Sequence, residues 1–471
     1  MKRKIRIIIG IFLVFVLYIL LGVVIPYSKQ PQISTEYVDS FDIKDYYSED
    51  LSCDRAYVIE DNGDALIERL RMIERAHNSI ILSTFDFRSD NSGKDILAAL
   101  FNAANNGIDI KILVDGYSAL LHMTNDEYFI ALSSHKNVEI KIYNSLNILK
   151  PWKSMGRLHD KYLVIDNELY ILGGRNTCDY FLVDNEDMNH DRDLLVYNTK
   201  PEEMESSIYD VLDYFHMVWN YNECKLYHNN PKEANKKKVV KARQELEDIY
   251  LSNIEKYPQI LDDYNYYDNT YEVNKVSLLT NPIHVNSKEP TVFYSLIELM
   301  KNGENKVSIH SPYIVCNDIM YSSLEDVCNN VADVSMMTNS VANNANPFGA
   351  ADYLLHRDKI LQTGIKIYEY EGGISYHGKS ITVDDDLSII GSFNMDMRSV
   401  YLSTEMMLVV DSEDINKQLS GYMEEYEANS VSVIDDDKID IPSGVTRQKL
   451  SGKKKVYVIF AVLFNYLRFL M

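Results

Sequence analysis

Residues 157–176 read RLHDKYLVIDNELYILGGRN, and residues 375–394 read SYHGKSITVDDDLSIIGSFN. Both stretches contain His-x-Lys, four further residues, an Asp, six more residues and then Gly-(Gly/Ser)-x-Asn. The matching positions are His159, Lys161, Asp166, Gly173, Gly174 and Asn176, and His377, Lys379, Asp384, Gly391, Ser392 and Asn394. A pattern of six positions that recurs at the same spacing predicts two equivalent units in one fold.

Strand geometry explains the spacing within each motif. Residues i and i+2 of a strand point to the same face, so His and Lys project together. Asp-Asn or Asp-Asp then turns the chain, and a returning strand brings the Asn amide back toward the pair. The small residues at Gly173 and Gly391 let backbone approach a bound anion closely. Two facing hairpins would surround one phosphodiester with two imidazoles, two ammonium groups and two amides.

These residue types predict phosphoryl chemistry without a metal. One imidazole attacks phosphorus and forms a phosphohistidine, and the other protonates the leaving alkoxide and then activates the incoming hydroxyl. Lys161, Lys379, Asn176 and Asn394 would stabilise charge on the non-bridging oxygens. Asp166 and Asp384 complete the catalytic motif, where we expect them to give mostly structural support at the turn.

An attacking histidine needs an acceptor on its far ring nitrogen to fix the tautomer. Two acids stand where an apolar strand begins after the motif, Glu405 in STEMMLVV and Asp193 in DRDLLVYN. We expect Glu405 and Asp193 to orient the two histidines, with Asp191 as a competitor for the second position. Either acid could instead be an ordinary surface residue at the start of a strand.

Helical and strand patterns alternate around both motifs. Before the first motif, DALIERLRMIERAH and KDILAALFNAANNG have helical apolar spacing, while SIILSTFDF, IDIKILVDG and VEIKIYN resemble strands. The same order recurs before the second motif, from TVFYSLIELMKNG to GIKIYEY. We therefore predict an α/β fold of two repeated halves with mixed, mostly parallel sheets packed pseudo-symmetrically.

The predicted organisation has six parts. They are an N-terminal membrane anchor (1–25), a tether (26–55), the first half (56–230), a connecting linker (231–272), the second half (273–430) and a basic-apolar tail (431–471). The linker contains KKKVVKARQELEDIY, which we interpret as a helix with a solvated charged face.

Charge and cysteine content limit the function. The net charge is −23, which disfavours a dedicated nuclease because proteins that grip a polyphosphate backbone carry a basic face. The five cysteines are scattered without a CxxC pair, so they predict neither a disulfide framework nor a zinc site. We expect no cofactor, no metal and no nucleic-acid partner; the sequence does not specify an oligomeric state.

Both termini carry apolar segments next to basic residues. Residues 5–25 form an apolar run that would reach about 30 Å as a helix, enough to span a bilayer. Lys2, Arg3 and Lys4 precede it, so the catalytic part would lie outside the cytosol. The alternative is a cleaved signal peptide. At the other end, three lysines lead into VYVIFAVLFNYLRFLM, either an interfacial segment or a final helix docked on the enzyme.

The duplicated HxKxxxxD motif resembles that of the phospholipase D superfamily over roughly residues 56–430. The resemblance implies one pseudo-symmetric α/β unit with its active site between the halves, His159 as nucleophile and His377 as acid/base. Within the superfamily the chain looks most like bacterial cardiolipin synthases, on the basis of its anchor, its basic-apolar C-terminus and GSFNMDMRSVYLSTE (391–405). It departs from them at Gly174, where Ser is common, and at Ser403, where Asn is common.

This resemblance implies a membrane phosphatidyltransferase that moves a phosphatidyl group onto phosphatidylglycerol, with phospholipids as substrates. A hydrolytic phospholipase D, or a phosphodiesterase or nuclease on the same scaffold, is the alternative. A catalytically inactive scaffold is a third possibility, which both intact His-Lys pairs disfavour. The donor lipid is open, as is the balance between transfer and hydrolysis.

Overall fold

The computed structural model describes residues 2–185, 188–228, 231–435 and 438–471. Its largest features are two nine-stranded sheets, each built mainly from one half. In spatial order the first sheet contains Tyr271–Glu272, Asp54–Ile59, Asp193–Asn198, Leu169–Gly173, Tyr162–Ile165, Ser79–Thr84, Asp109–Asp115, Val138–Tyr143 and Cys224–Leu226. The second contains Lys275–Thr280, Met406–Asp411, Leu387–Gly391, Ser380–Val383, Lys306–His310, Asp333–Asn339, Lys366–Tyr370, Ser430–Val433 and Ile439–Asp440.

The prediction of mixed sheets is confirmed, but the prediction that they are mostly parallel is wrong. Parallel pairing in the first sheet joins Asp109–Asp115 to its neighbours on both sides, and Asp333–Asn339 has the same position in the second. The other pairings within the two sheets, among the described strands, are antiparallel. Only the early strands are joined by helical crossovers, whereas each motif folds back as a hairpin, which reverses strand direction.

Helices cover the sheets, and apolar periodicity accounts for their buried faces. The longer helices after the N-terminal one are Asn62–Glu74, Asn91–Asn105, Glu127–Ser133, Ile208–Trp219, Lys237–Lys256, Thr291–Lys301, Asp318–Asn330, Pro347–Gln362, Glu413–Glu427 and Gly452–Leu463. Short helical turns are Thr35–Ser40, Gly116–Ser118, Ala119–Met123, Asp179–Leu182, Pro231–Ala234, Met397–Tyr401, Ile25–Tyr27, Ile43–Tyr46, Pro151–Lys153, Pro258–Leu261 and Asn465–Leu470.

The two halves share a hydrophobic core. Val58 and Leu172 of the first half belong to the same buried cluster as Ile390 and Leu408 of the second. Two further clusters lie within single halves, one formed largely by residues of the first and one by residues of the second. A two-stranded parallel ladder between Asn189–His190 and Ser375–Tyr376 adds backbone hydrogen bonds between the halves. The site between the halves is therefore supported from both sides.

The segments outside the halves are packed against them. The predicted linker contains the helix Lys237–Lys256, whose Val239, Ala242 and Leu246 are buried against the first half. The predicted tether is docked on the second half: Tyr37 Oη lies 2.9 Å from Ser295 Oγ, and Ser34 N donates to Glu289 at 2.7 Å. This segment looked like a tether because its buried contacts are mostly made by tyrosines and polar atoms.

The N-terminal helix Lys2–Val24 has the length and apolar composition needed to cross a bilayer. Its apolar side chains are largely exposed, among them Ile8 and Val14. Near its end, Tyr18 Oη donates to the Leu149 carbonyl at 2.9 Å. Tyr27 follows, fully buried, and donates to the carbonyls of Trp152 at 2.6 Å and Val285 at 3.0 Å. The helix therefore leaves the protein at a fixed place beside the loop that contains Leu149 and Trp152.

Candidate active site

The two motifs form matching strand–turn–strand hairpins. In the first, Tyr162–Ile165 pairs with Leu169–Gly173, and in the second Ser380–Val383 pairs with Leu387–Gly391. Each His-x-Lys triplet immediately precedes the first strand of its hairpin. The predicted turn is present in both cases. The two halves thus deliver equivalent side chains from equivalent places.

The motif aspartates occupy the turns. Asp166 and Asp384 have φ values of 52° and 46°, in the left-handed region that Asp tolerates better than most residues. The Asp166 carboxylate accepts backbone N–H bonds from His77, Asn78 and Ser79 at 2.7–2.9 Å. Asp384 accepts from residues 304, 305 and 306 at 2.8–2.9 Å. Both carboxylates hold the start of a neighbouring strand, and neither lines the cavities beside the histidines.

Each motif histidine is held by an acid from the opposite half. His159 Nδ1 lies 2.9 Å and 3.0 Å from the two carboxylate oxygens of Glu405. His377 Nδ1 lies 2.5 Å from Asp191 Oδ2. Backbone contacts cross in the same way, since His159 N donates to Thr404 Oγ1 and His377 N donates to the His190 carbonyl. Because each histidine is held by the opposite half, the two His-Lys pairs lie at the interface between the halves.

The structure pairs Asp191 with His377 in the place expected for Asp193. Asp193 is fully buried and bonds Arg69 at 2.8 Å and Arg175 at 3.2 Å instead. Sheet register explains the difference: Asp193 lies opposite Gly173, as Met407 lies opposite Gly391. The residue equivalent to Glu405 is therefore two positions before Asp193. The connections after the two Asn residues differ in length, so counting along the sequence does not reveal this register.

Gly174 stands where Ser is common among the proteins that the sequence resembles, and the position of Asp191 explains the glycine. A Cβ at Gly174 would lie 2.1 Å from Asp191 Oδ1, so a side chain here would displace the acid. In the second half the equivalent Ser392 instead donates its hydroxyl to Glu405, to which Ser399 also donates at 2.7 Å. Gly174 thus leaves room for the shorter acid Asp191, whereas Ser392 hydrogen-bonds the longer acid Glu405.

The two lysines are buried beside the histidines. Lys161 is 2% exposed and Lys379 is 1% exposed, and each donates to the backbone carbonyl of its own motif histidine. Lys379 also lies 3.6 Å from Asp191. Burial lowers the pKa of Lys161 to about 7 and that of Lys379 to about 8. Two poorly solvated ammonium groups at one interface favour an anionic ligand.

The motif asparagines have different surroundings. Asn176 Oδ1 accepts from the backbone N–H of Asp86 at 3.1 Å, which fixes its amide plane. Asn394 lines the cavity beside His159, and its buried Oδ1 has no hydrogen-bond partner within the described residues. Its Nδ2 lies 3.5 Å from Tyr313 Oη, a residue for which the sequence offered no signal.

The orienting acids differ in their electrostatics. Burial raises the pKa of Glu405 to about 7. Burial acts in the same direction on Asp191, but Lys379 and His377 outweigh it and hold the pKa of that carboxyl below its usual range. Burial, with Lys161, lowers the pKa of His159 well below its ordinary value, and burial with Lys379 lowers that of His377 to about 4. Both imidazoles are therefore neutral in the free protein at pH 7, and Asp191 is the more firmly ionised acid.

Aromatic rings and an arginine complete the site, and sequence reasoning missed them. Phe85 meets the His159 ring edge-to-face at 5.7 Å, and Phe181 meets that of His377 at 5.1 Å. These phenylalanines lie outside the motifs, so only the fold identifies them. Arg398, within residues 391–405, is half-buried and lines the cavity at His159.

Two cavities of different character lie beside the histidines. The apolar cavity, about 820 Å³, contains His159 and Glu405 in its wall and is otherwise lined mainly by apolar side chains. The second cavity, about 190 Å³, contains His377 in its wall, and we call it the polar cavity because four asparagines and a serine line it. Its other lining residues are Phe181, Asn189, Pro312, Tyr313, Asn339, Asn344, Ala345, Asn346 and Ser375. Tyr313 and Asn346 line both cavities, which are therefore neighbours.

A family profile described as "Cardiolipin synthase, PLD-like domain" matches residues 70–219 and 296–426. These two ranges contain both motifs and both orienting acids. Cardiolipin synthase C of Escherichia coli is 25% identical over 399 residues, covering 76% of this chain and 82% of that protein. An uncharacterized protein of Helicobacter pylori is 25% identical over 402 residues, covering 77% of each chain.

Solved structures share the fold. The phosphatidylserine synthase of Haemophilus influenzae superposes with a TM-score of 0.61 at 14% sequence identity. The match covers 88% of this chain and 95% of that one. At this identity the likeness establishes the two-half architecture and not the substrate.

Proposed function

Because the chain belongs to the cardiolipin synthase family with a phospholipase D-like domain and is a phosphatidyltransferase of that type, we propose that it makes cardiolipin. A phosphatidyl group would pass from a donor phospholipid to a glycerol hydroxyl of phosphatidylglycerol. The observation that carries the proposal is the exchanged contact of each histidine with an acid of the other half.

The reaction has two displacement steps. His159 Nε2 attacks phosphorus while the bond to the donor headgroup oxygen breaks, and His377 gives its proton to that alkoxide. The glycerol hydroxyl of phosphatidylglycerol then attacks the phosphohistidine and loses its proton to His377. Breaking the P–N bond releases cardiolipin and restores neutral His159. Lys161 and Lys379 stabilise the non-bridging oxygens in both steps.

The contacts and charges of the two acids support this assignment of roles to the histidines. Firmly ionised Asp191 favours an imidazolium at His377, as a general acid requires. Without bound substrate the pKa of His377 is about 4, and the negative charge of a bound phosphodiester would raise that pKa. Glu405, with its pKa near 7, leaves His159 neutral and holds its Nδ1, so that Nε2 is free to attack.

The cavities support a lipid substrate over a nucleic acid. The large apolar cavity beside His159 suits hydrocarbon, whereas the polar cavity beside His377 suits a hydroxylated headgroup. In an in-line displacement the leaving alcohol lies beside the general acid, His377, and therefore beside the polar cavity. The net charge of −23 also opposes binding of a polyphosphate strand.

We also propose that the N-terminal helix anchors the enzyme in the cell membrane with the catalytic part outside the cytosol. Lys2, Arg3 and Lys4 precede the helix and would stay in the cytosol. The site would then act on lipids of the outer leaflet.

Product analysis tests the function. Purified enzyme with phosphatidylglycerol in mixed micelles should form cardiolipin and release one glycerol per cardiolipin, as measured by mass spectrometry. The His377→Ala variant should form neither product. Phosphatidic acid as the dominant product would favour a hydrolytic phospholipase D, and the absence of any lipid product would contradict the proposal.

A further inference from the structure

The apolar cavity has a wall that belongs to neither half. Residues Phe460, Phe464, Leu467, Leu470 and Met471 line it, and all lie in the last part of the chain. We call Gly452–Leu463, Phe464 and Asn465–Leu470 with Met471 the C-terminal segment. It lies outside the matched family ranges, which end at residue 426.

Specific contacts hold this segment in place. Its buried side chains Val458 and Ala461 pack against Ala350 and Ala351 of the second half. The Ser451 hydroxyl accepts a hydrogen bond from the backbone N–H of Lys454 at 3.2 Å. This cap defines where the helix begins. The segment is therefore a docked element with a defined position.

A buried carboxylate fixes the end of the segment. Asp352 is 0% exposed and accepts from Arg468 Nε at 2.6 Å and from Arg468 Nη2 at 2.9 Å. Asn465 Nδ2 donates to the same carboxylate at 2.8 Å. Charged two-point contacts of this kind impose geometry as well as affinity. They set Leu467 and Leu470, on either side of Arg468, at the cavity.

The segment also contacts the catalytic region directly. Arg398 Nη2 donates to the Leu470 carbonyl at 2.6 Å, and Arg398 lines the cavity together with His159. The side chains of Val456, Ile459 and Leu463 are exposed, so one face of the helix is apolar and uncovered. The cavity wall also includes Leu146, from the loop whose Leu149 carbonyl accepts a hydrogen bond from Tyr18 of the N-terminal helix.

From these contacts we propose that the C-terminal segment forms one wall of an acyl-chain channel. Its occupant is an acyl chain of the phospholipid whose phosphodiester lies at His159, entering from the bilayer in which the N-terminal helix is embedded. The inference rests on the proposed function and adds the element that recognises the hydrocarbon. For a lipid that binds from water, each methylene buried in such a channel raises affinity about fourfold.

A chain-length series tests the channel. kcat/KM would be measured for phosphatidylglycerols with acyl chains from butanoyl to octanoyl, each kept below its critical micelle concentration so that the chain enters the channel from water. For the wild type it should rise with chain length. The Leu467→Trp variant narrows the cavity, so it should flatten the rise and lower kcat/KM for the octanoyl lipid at least tenfold more than for the butanoyl lipid. The matched control is Leu463→Trp, on the exposed face, which should retain the wild-type series.

A second variant covers the case in which tryptophan disrupts folding. Arg468→Gln removes the charged contact to Asp352 while keeping the cavity side chains, and it should flatten the series in the same way. A wild-type chain-length dependence in both variants, or equal loss at every length, would overturn the channel while leaving the phosphatidyltransferase proposal intact. Failure of the wild type to transfer any of these lipids would instead overturn the proposed function, and the channel with it.

Discussion

At the catalytic interface, two aspartates two positions apart have different roles. Asp191 contacts His377, whereas Asp193 neutralises the buried arginines Arg69 and Arg175. The sequence analysis predicted Asp193 as the acid that orients the histidine, with Asp191 as its competitor, and this choice was wrong. The register of their strand against the motif hairpin decides which aspartate reaches the histidine. That register depends on tertiary pairing, which the sequence pattern does not contain.

Conservative substitution separates the two roles. Asp191→Asn should lower kcat by about 10²- to 10⁴-fold, since the amide cannot stabilise the His377 imidazolium and favours the wrong tautomer. Asp193→Asn should keep much of the activity per folded molecule but lower the free energy of unfolding by about 3 kcal/mol, because two buried cations lose their anion. Steady-state kinetics and chemical denaturation measure these effects. The reverse assignment of the two phenotypes would contradict the structure.

We expect the buried lysines to give the reaction an alkaline limit. The pKa of Lys161 is lowered to about 7 and that of Lys379 to about 8, chiefly by burial. A lysine is charged below its pKa, so binding of the phosphodiester anion is strongest below pH 7 and weakens as pH rises through both values. We expect kcat/KM to fall over this range, and kcat to fall only at higher pH, because bound anion raises both lysine pKa values. A flat kcat/KM from about pH 6 to about pH 9 would contradict this.

Among the elements, the motif hairpins were the most predictable. Their strands and their Asp turns follow from strand periodicity and turn chemistry. The His-x-Lys triplets, which we predicted to lie on the strands, lie immediately before them. The sheets were less predictable, because helices between early strands suggested parallel pairing that the hairpins then reverse. Contacts such as Phe85 with His159 arise only when distant elements meet.

Gly174 tests how closely the hairpin is fitted to Asp191. Gly174→Ala places a methyl group 2.1 Å from the original position of Asp191 Oδ1, so the acid must move. We expect turnover to fall on the order of tenfold or more, since small displacements of catalytic groups are costly. Gly421→Ala is the control: it lies in the helix Glu413–Glu427 with no atom within 4 Å of the added Cβ. It should keep full activity and gain about 0.5–1 kcal/mol in stability.

For the whole molecule, the N-terminal helix and the apolar cavity point to action at a membrane. The two-half fold and the membrane-length helix were both predicted from sequence, because duplication and long apolar runs are strong signals. The docking of the C-terminal segment was left open, since a basic-apolar helix can either lie at a lipid interface or dock on the enzyme. The structure has it packed through Val458 and Ala461 with one apolar face exposed.

Cysteine labelling tests the orientation in the membrane. The natural cysteines are buried except for half-buried Cys328, so the wild type should label weakly with a membrane-impermeant maleimide. Glu202→Cys adds a thiol at an exposed position of the first half. Intact spheroplasts should label this variant as fully as lysed ones. Labelling only after lysis would place the catalytic part in the cytosol.

In the proposed mechanism His159 and His377, from separate halves, act in turn on one phosphorus atom. Phosphatidyl-p-nitrophenol tests it, because nitrophenolate leaves without protonation and so bypasses the acid. His377→Asn should release one equivalent of nitrophenol per enzyme in a rapid burst and retain an acid-labile, alkali-stable phosphatidyl adduct on His159. His159→Asn should give neither burst nor adduct. A burst from His159→Asn with the adduct on His377 would reverse the roles, and normal turnover by either variant would contradict the account.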